Sequence, residues 1–312
     1  MKKQIIGILS AVLLTGFISS CKKDDQQKLD EQTRQFNDDS NNYKAESDQA
    51  DDDVNNAVND IPAFGRGAGV LSSPLCGVTI DSSQLSQKIL FFNFDGVTPC
   101  FSPSRTRSGQ IKVQLTSGAS WHDPGAVLTL TYNSFKVTRL SDNKSITFNG
   151  VKTLENVNGH NWLTFLMGTS TFKYRSRAYN VQVSYDNGAS AVWNQAYMTE
   201  WLYTPTSAHG AYITFTCNGD TTMNGYSNVS MWGVNRFSQA FTTNYNTQIL
   251  SNTYCGLWRP NSGELVHHVN ANTYSLTLGV DQSGNPTTLD CAYGYKVTWT
   301  VNGTTNSVVL SY

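Results

Sequence analysis

From about residue 110 onward the chain is a series of short runs in which larger apolar and polar residues alternate: IKVQL (111 to 115), VLTLTY (127 to 132), YNVQVSY (179 to 185), AYITFTC (211 to 217), YSLTLGV (274 to 280), YKVTWTV (295 to 301) and NSVVLSY (306 to 312). A period of two places alternate side chains on opposite faces, so each run predicts a strand with one buried and one wet face. Asn149-Gly150, Asn158-Gly159, Asp186-Asn187-Gly188, Asn218-Gly219, Asn224-Gly225 and Asn302-Gly303 fall between or beside the runs. Such pairs tolerate the positive φ of tight turns, which predicts antiparallel hairpins. No stretch past residue 70 keeps a long period of 3.6, so almost no helix is expected there.

The pattern upstream is different. Phe36, Tyr43, Ala50 and Ala57 recur every seven residues, with Val54 and Ile61 forming a second row, which is helical spacing. Asp38, Asp39 or Ser40 could cap its start, and Pro62 followed by Gly65 and Gly67 would stop it. Earlier still, Lys2 and Lys3 precede an apolar run from Ile5 to Ile18. That run is too short for the roughly twenty residues of a spanning helix and reads as an export signal.

Charge separates the same regions. Residues 22–60 carry twelve acidic and five basic side chains, a net of −7, and residues 61–312 carry eleven and fifteen, a net of +4. The overall −1 therefore hides an acidic tether and a weakly basic body, and neither has the basic density of a nucleic-acid partner. The expected fold is all-β, an antiparallel β-sandwich over residues 62–312 built as one large core or two packed halves. Cys76-Gly77 and Cys255-Gly256 open the two candidate halves, Phe135-Lys-Val-Thr is similar to Tyr295-Lys-Val-Thr, and an internal boundary would fall near 160–175.

The apolar run ends Ile18-Ser19-Ser20-Cys21, which resembles the lipobox of bacterial lipoproteins. The resemblance implies removal of residues 1–20 as a signal peptide, a diacylglyceryl group on the Cys21 thiol, and attachment to a membrane through acyl chains, each buried methylene adding about 0.8 kcal/mol. Residues 21–61 then form the acidic tether, helical or flexible, read as a solvated spacer. Lys22-Lys23-Asp24-Asp25 is similar to the signal that sends lipoproteins of the Bacteroidota to the outer face of the outer membrane. The body resembles β-rich lipoproteins of that group, a likeness that implies a location and no activity. The terminal Tyr312 also resembles the closing-strand signal of outer-membrane barrels, against which stand short strands and five further cysteines.

With Cys21 acylated, Cys76, Cys100, Cys217, Cys255 and Cys291 remain in an oxidising compartment. Several pairings are open; short loops favour Cys76 with Cys100 and Cys255 with Cys291, each bond contributing about 3 kcal/mol in the chain-entropy picture. Cys217 is then a buried thiol packed as a small hydrophobe. No Cys-x-x-Cys or His-Glu-x-x-His spacing occurs, so neither a metal nor a cofactor is expected.

Catalytic patterns are equally sparse. No Gly-x-Ser-x-Gly turn is present, and the body's only glutamates are Glu155, Glu200 and Glu264. Glu200, within an aromatic run, is the best single candidate for an acid, and a structural charge beside packed rings is the plainer reading. Seven tryptophans and fifteen tyrosines stand out more. Trp299 lies inside a strand as core, whereas Trp121 and Trp258 sit in turn-rich loops and are the candidate ligand platforms. The sequence thus favours a non-catalytic surface module for glycan or another extracellular ligand. The alternatives are a structural or assembly lipoprotein acting on outer-membrane protein partners and, last, a glycoside hydrolase, which needs two facing carboxylates.

Overall fold

The computed structural model describes residues 17–59, 61, 63–64, 75–100, 104–160, 162–257, 259–270, 272–287, 291–301 and 303–312, without the side chains of 17–30, 162 and 301. The chain divides into two compact units that meet in sequence between Ala45 and Glu46. Helix α1 (Phe17–Asn59) is continuous through that point, so its last turns belong to the second unit. Cys21 lies in the part of α1 whose side chains are outside the described residues, and residues 1–16, most of the expected signal peptide, lie outside the described residues altogether.

Apart from the last turns of α1 and one short α-helix, the second unit is built of β-strands. In order come β1 (Val78–Asp81), β2 (Ile89–Asp95), β3 (Arg105–Ser117), β4 (Ala126–Arg139), β5 (Ser145–Asn156), the short helix α2 (Trp162–Leu166), β6 (Thr171–Tyr185), β7 (Ser190–Thr204) and β8 (Tyr212–Gly219). Then follow β9 (Thr221–Met223), β10 (Tyr226–Val234), β11 (Ala240–Asn252), β12 (Ser262–Val269), β13 (Asn272–Val280), β14 (Gly294–Val301) and β15 (Thr304–Ser311). Among the described residues all fifteen strands belong to one hydrogen-bonded sheet, whose main path runs β1 through β7 and then β10 through β15, with β8 and β9 attached beside it. Both β8 and β10 lie between β7 and β11, β8 at one end and β10 at the other. The expected layers are therefore parts of one antiparallel sheet. On either side of the 160–175 stretch β5 pairs with β6 from Ile146↔Tyr185 to Asn156↔Tyr174, and the division into compact units falls at Ala45/Glu46.

Alternation explains the strands, and a bulge explains where β4 changes parity. In β4, Ala126, Leu128, Leu130 and Tyr132 are buried, then Phe135 and Val137. The parity changes at Ser134, a bulge with φ +52 where the register to β5 shifts. Gly109 of β3 faces it, and a Cβ there would lie 2.1 Å from the Ser134 carbonyl oxygen, so only glycine fits. Two of the expected hairpin turns prove to be strand positions: Asn149-Gly150 sits at a register shift inside β5, and Asn218-Gly219 ends β8. Gly219 is needed for close approach, because a Cβ there would meet the Asn228 carbonyl at 1.9 Å.

The core has two regions. Leu90, Phe92, Ile111, Val113, Leu128, Leu130 and Phe148 fill the inner face of β2 to β5. Tyr197, Cys217, Tyr245, Leu265, Leu276, Leu278 and Val297 fill that of β7, β8 and β11 to β14, with Trp299 packed against them as expected for a core residue. Cys76–Cys100 and Cys255–Cys291 are the two disulfides, and Cys217 is a buried free thiol.

The solvated-spacer expectation fails for the end of α1. Ala50, Val54, Ala57 and Val58 are buried in the expected helical stripe, and Glu46, Ser47, Asp51 and Asp53 are buried with them. Cations on the inner face of the sheet receive these acids. Arg105 pairs with Glu46, Arg107 with Asp53, and Lys152 Nζ lies 2.6 Å from Asp51 Oδ2. Lys152 also donates to Ser47 Oγ at 2.7 Å, and Tyr197 OH donates to Asp48. Burial raises the Glu46 carboxyl while Arg105 pulls it back down. The acidic composition that read as solvation is the counter-charge of a cationic seat.

Candidate functional site

Three local features build a cleft on the second unit. The register of β6 against β7 shifts between Ala178 and Val181, with Asn180 at φ +56, and this leaves Tyr179 57 % exposed. The Asn194 side chain of β7 fixes that bulge by accepting from the Asn180 amide at 2.8 Å, and it donates to the Trp232 carbonyl at 3.1 Å. It thereby holds two cleft-lining positions together.

The third feature is the β9–β10 hairpin. Met223 pairs with Tyr226 around Asn224 (φ +53) and Gly225 (φ +83), the conformation that Asn-Gly supplies most readily. Asn224 Nδ2 donates to Thr242 Oγ1 at 3.1 Å, seating the hairpin tip on β11. Tyr226 stacks on His268 of β12 with ring centroids 3.9 Å apart, and Trp232 meets Tyr179 edge-on at 5.9 Å.

The resulting cleft is about 540 Å³ and is lined by Tyr226, Trp232 and His268 and by the amides Asn180, Asn194, Asn224 and Asn270. Among the described residues lining it none is a carboxylate, a lysine or an arginine. His268 Nε2 lies 3.0 Å from Asn244 Oδ1, and burial lowers its pKa, which favours the neutral ring. Flat rings beside uncharged donors and acceptors suit a neutral, hydroxyl-rich ligand whose C–H face stacks on an aromatic.

The residues singled out in the sequence lie elsewhere. Trp121 is a correction: it is fully buried, its Nε1 donates to Asn55 Oδ1 of α1 at 2.8 Å, and its carbonyl accepts from Asn156 Nδ2. Its loop turns inward against the helix, so the ring is no platform. Trp258 lies outside the described residues. Glu200 stands opposite Lys173 on the neighbouring strand, 3.3 Å away, an ion pair on the sheet surface. Glu155 and Asp220 are both held by Arg175 at 2.8 Å, and Arg177 also reaches Asp220. No metal-ligating cluster of three or more His, Cys, Asp or Glu occurs among the described residues.

Sequence reasoning missed Tyr179, Tyr226 and Trp232 as a set, because they meet only once a bulge and a hairpin fold toward each other. The Asn224-Gly225 turn was the one visible clue. No protein-family model, curated protein or solved structure matches the chain.

Proposed function

We propose that this is a lipid-anchored protein of the cell envelope that binds a neutral glycan without transforming it, in the cleft around Trp232. The anchor is Cys21, acylated after removal of residues 1–20, and Lys22-Lys23-Asp24-Asp25 directs the chain to the outer membrane and its exposed face. The observation that carries the binding reading is the pairing of partly exposed rings with uncharged amides in one cleft. A sugar stacks its apolar face on Trp232 or Tyr226 and exchanges hydrogen bonds with the asparagines. The hydrolase alternative asks for two carboxylates across the cleft, and those nearest the role, Glu155, Asp220 and Glu200, are each occupied by arginine or lysine.

The test is a titration of the full chain with neutral polysaccharides and oligosaccharides, followed by tryptophan fluorescence. Saturable quenching that Trp232→Ala abolishes supports the reading. Silence across the panel, or binding indifferent to Trp232→Ala and Tyr226→Ala, rejects it in favour of an assembly protein that works through protein contacts.

A further inference from the structure

The two ends of the sheet are finished differently. β1 is four residues long, ends in Asp81 and lies just after the Cys76–Cys100 bond. A short, charged and cross-linked strand is a protected edge. β15 is twice as long, and its sequence TTNSVVLS contains no charge and no proline. Among the described strands it pairs only with β14, so one side of its backbone is unpaired.

Which groups face outward follows from the register. Tyr293 stands opposite Tyr312, and the Tyr312 amide donates to the Tyr293 carbonyl. Antiparallel ladders alternate, so Leu310 and Val308 also direct their backbone groups to β14, and Ser307, Val309 and Ser311 direct theirs outward. On the face shared with Tyr295 and Val297, Val308 and Leu310 remain 41 % exposed each. The apolar layer that includes Val297 therefore runs out to an uncovered rim.

The rim reads alike in both directions: Ser307-Val308-Val309-Leu310-Ser311. Two such strands laid antiparallel with Val309 facing Val309 set serine against serine and Val308 against Leu310. The outward amides of Ser307, Val309 and Ser311 each gain a carbonyl, the four exposed aliphatic side chains cover one another, and no charges meet. We propose that β15 is a self-association edge, on which a second copy of this chain docks its own β15 about a twofold axis at Val309, extending the sheet through both copies. This stands independently of the cleft.

Sedimentation velocity of the full chain in detergent, over a dilution series, tests it. The wild type is expected to sediment as a dimer that dissociates on dilution. Val309→Pro removes an outward amide that β14 does not use, and Val309→Lys sets like charges face to face. Each is expected to weaken the dimer about tenfold or more while the melting transition is kept. The register has its own readout: residues 308 and 310 of opposite copies would be a non-hydrogen-bonded pair with Cα atoms about 4.5 Å apart, within disulfide range. A mixture of Val308→Cys and Leu310→Cys chains should therefore cross-link faster on oxidation than either alone. A monomer at every concentration overturns the proposal. So does a dimer that survives Val309→Lys and whose mixed cysteine variants show no preference; should Val309→Pro fail to fold, the lysine variant and the cross-link decide.

Discussion

Lys152 of β5 and Asp51 of α1 face each other at 2.6 Å, and the lysine side chain has no exposed surface. A wholly desolvated ammonium persists only where a carboxylate and further acceptors surround it, and here Ser47 contributes both its hydroxyl and its carbonyl at 2.7 and 3.2 Å. The end of α1 is thereby part of the interior that the sheet encloses.

Replacing Lys152 by Met leaves Asp51 buried without its cation. Urea denaturation should show a loss of about 3–5 kcal/mol, and adding Asp51→Asn should restore a large part of it, since removing both charges costs less than removing one. A single variant as stable as the wild type would mean that the pair does not hold the helix.

A chain that begins at Ile61 lacks the acids that neutralise Arg105, Arg107 and Lys152 and the side chains Ala50, Val54 and Val58. Calorimetry should show no cooperative transition for it, whereas a chain that begins at Glu46 melts as one unit. Equal transitions in the two would return these turns to the role of a plain spacer.

His267 of β12 is buried and bonds Thr243 Oγ1 through Nδ1 at 2.8 Å. Burial, and next the neighbouring His268, hold its pKa down to about 4 from an ordinary 6.5. Between those values the unfolded chain takes up a proton that the folded chain refuses, so this contribution is present above pH 6.5 and is lost as pH falls toward 4. The loss from this residue is about 3 kcal/mol at most. Melting temperature measured from pH 7 to pH 4 should fall less steeply in His267→Gln than in the wild type.

In the cleft, Asn194→Ala should weaken ligand binding without touching an aromatic, because Asn180 and Trp232 lose their common support. Calorimetric titration with the glycan identified by fluorescence should show a fall of up to about thirtyfold, a lost pair of hydrogen bonds contributing about 1 kcal/mol each. Trp232→Ala should abolish the signal, and Trp121→Ala should lower stability more than affinity.

The antiparallel sheet and both disulfides were legible because period-two alternation and loop length are local properties, and so was the helical row through Ala50, Val54 and Ala57. The burial of its acids was not, since their partners stand on strands about fifty to a hundred residues away. One clue lay in view: Lys152 shares its face with Leu154, a cation in an apolar row. Trp121 misled because a turn-rich loop signals exposure only when nothing folds over it. Trp232 was hidden in the opposite way, since alternation marks a strand face as inward without telling where a neighbouring bulge leaves it open.

Each disulfide fastens a terminal portion of the sheet to itself. Cys76–Cys100 encloses β1 and β2, and Cys255–Cys291 encloses β12 and β13. A protease that nicks the chain between residues 76 and 100, or between 255 and 291, severs a peptide bond and releases no fragment. The cut protein would still migrate as one polypeptide until a reductant is added, so a single nick in either loop stays hidden on a non-reducing gel and leaves every strand attached.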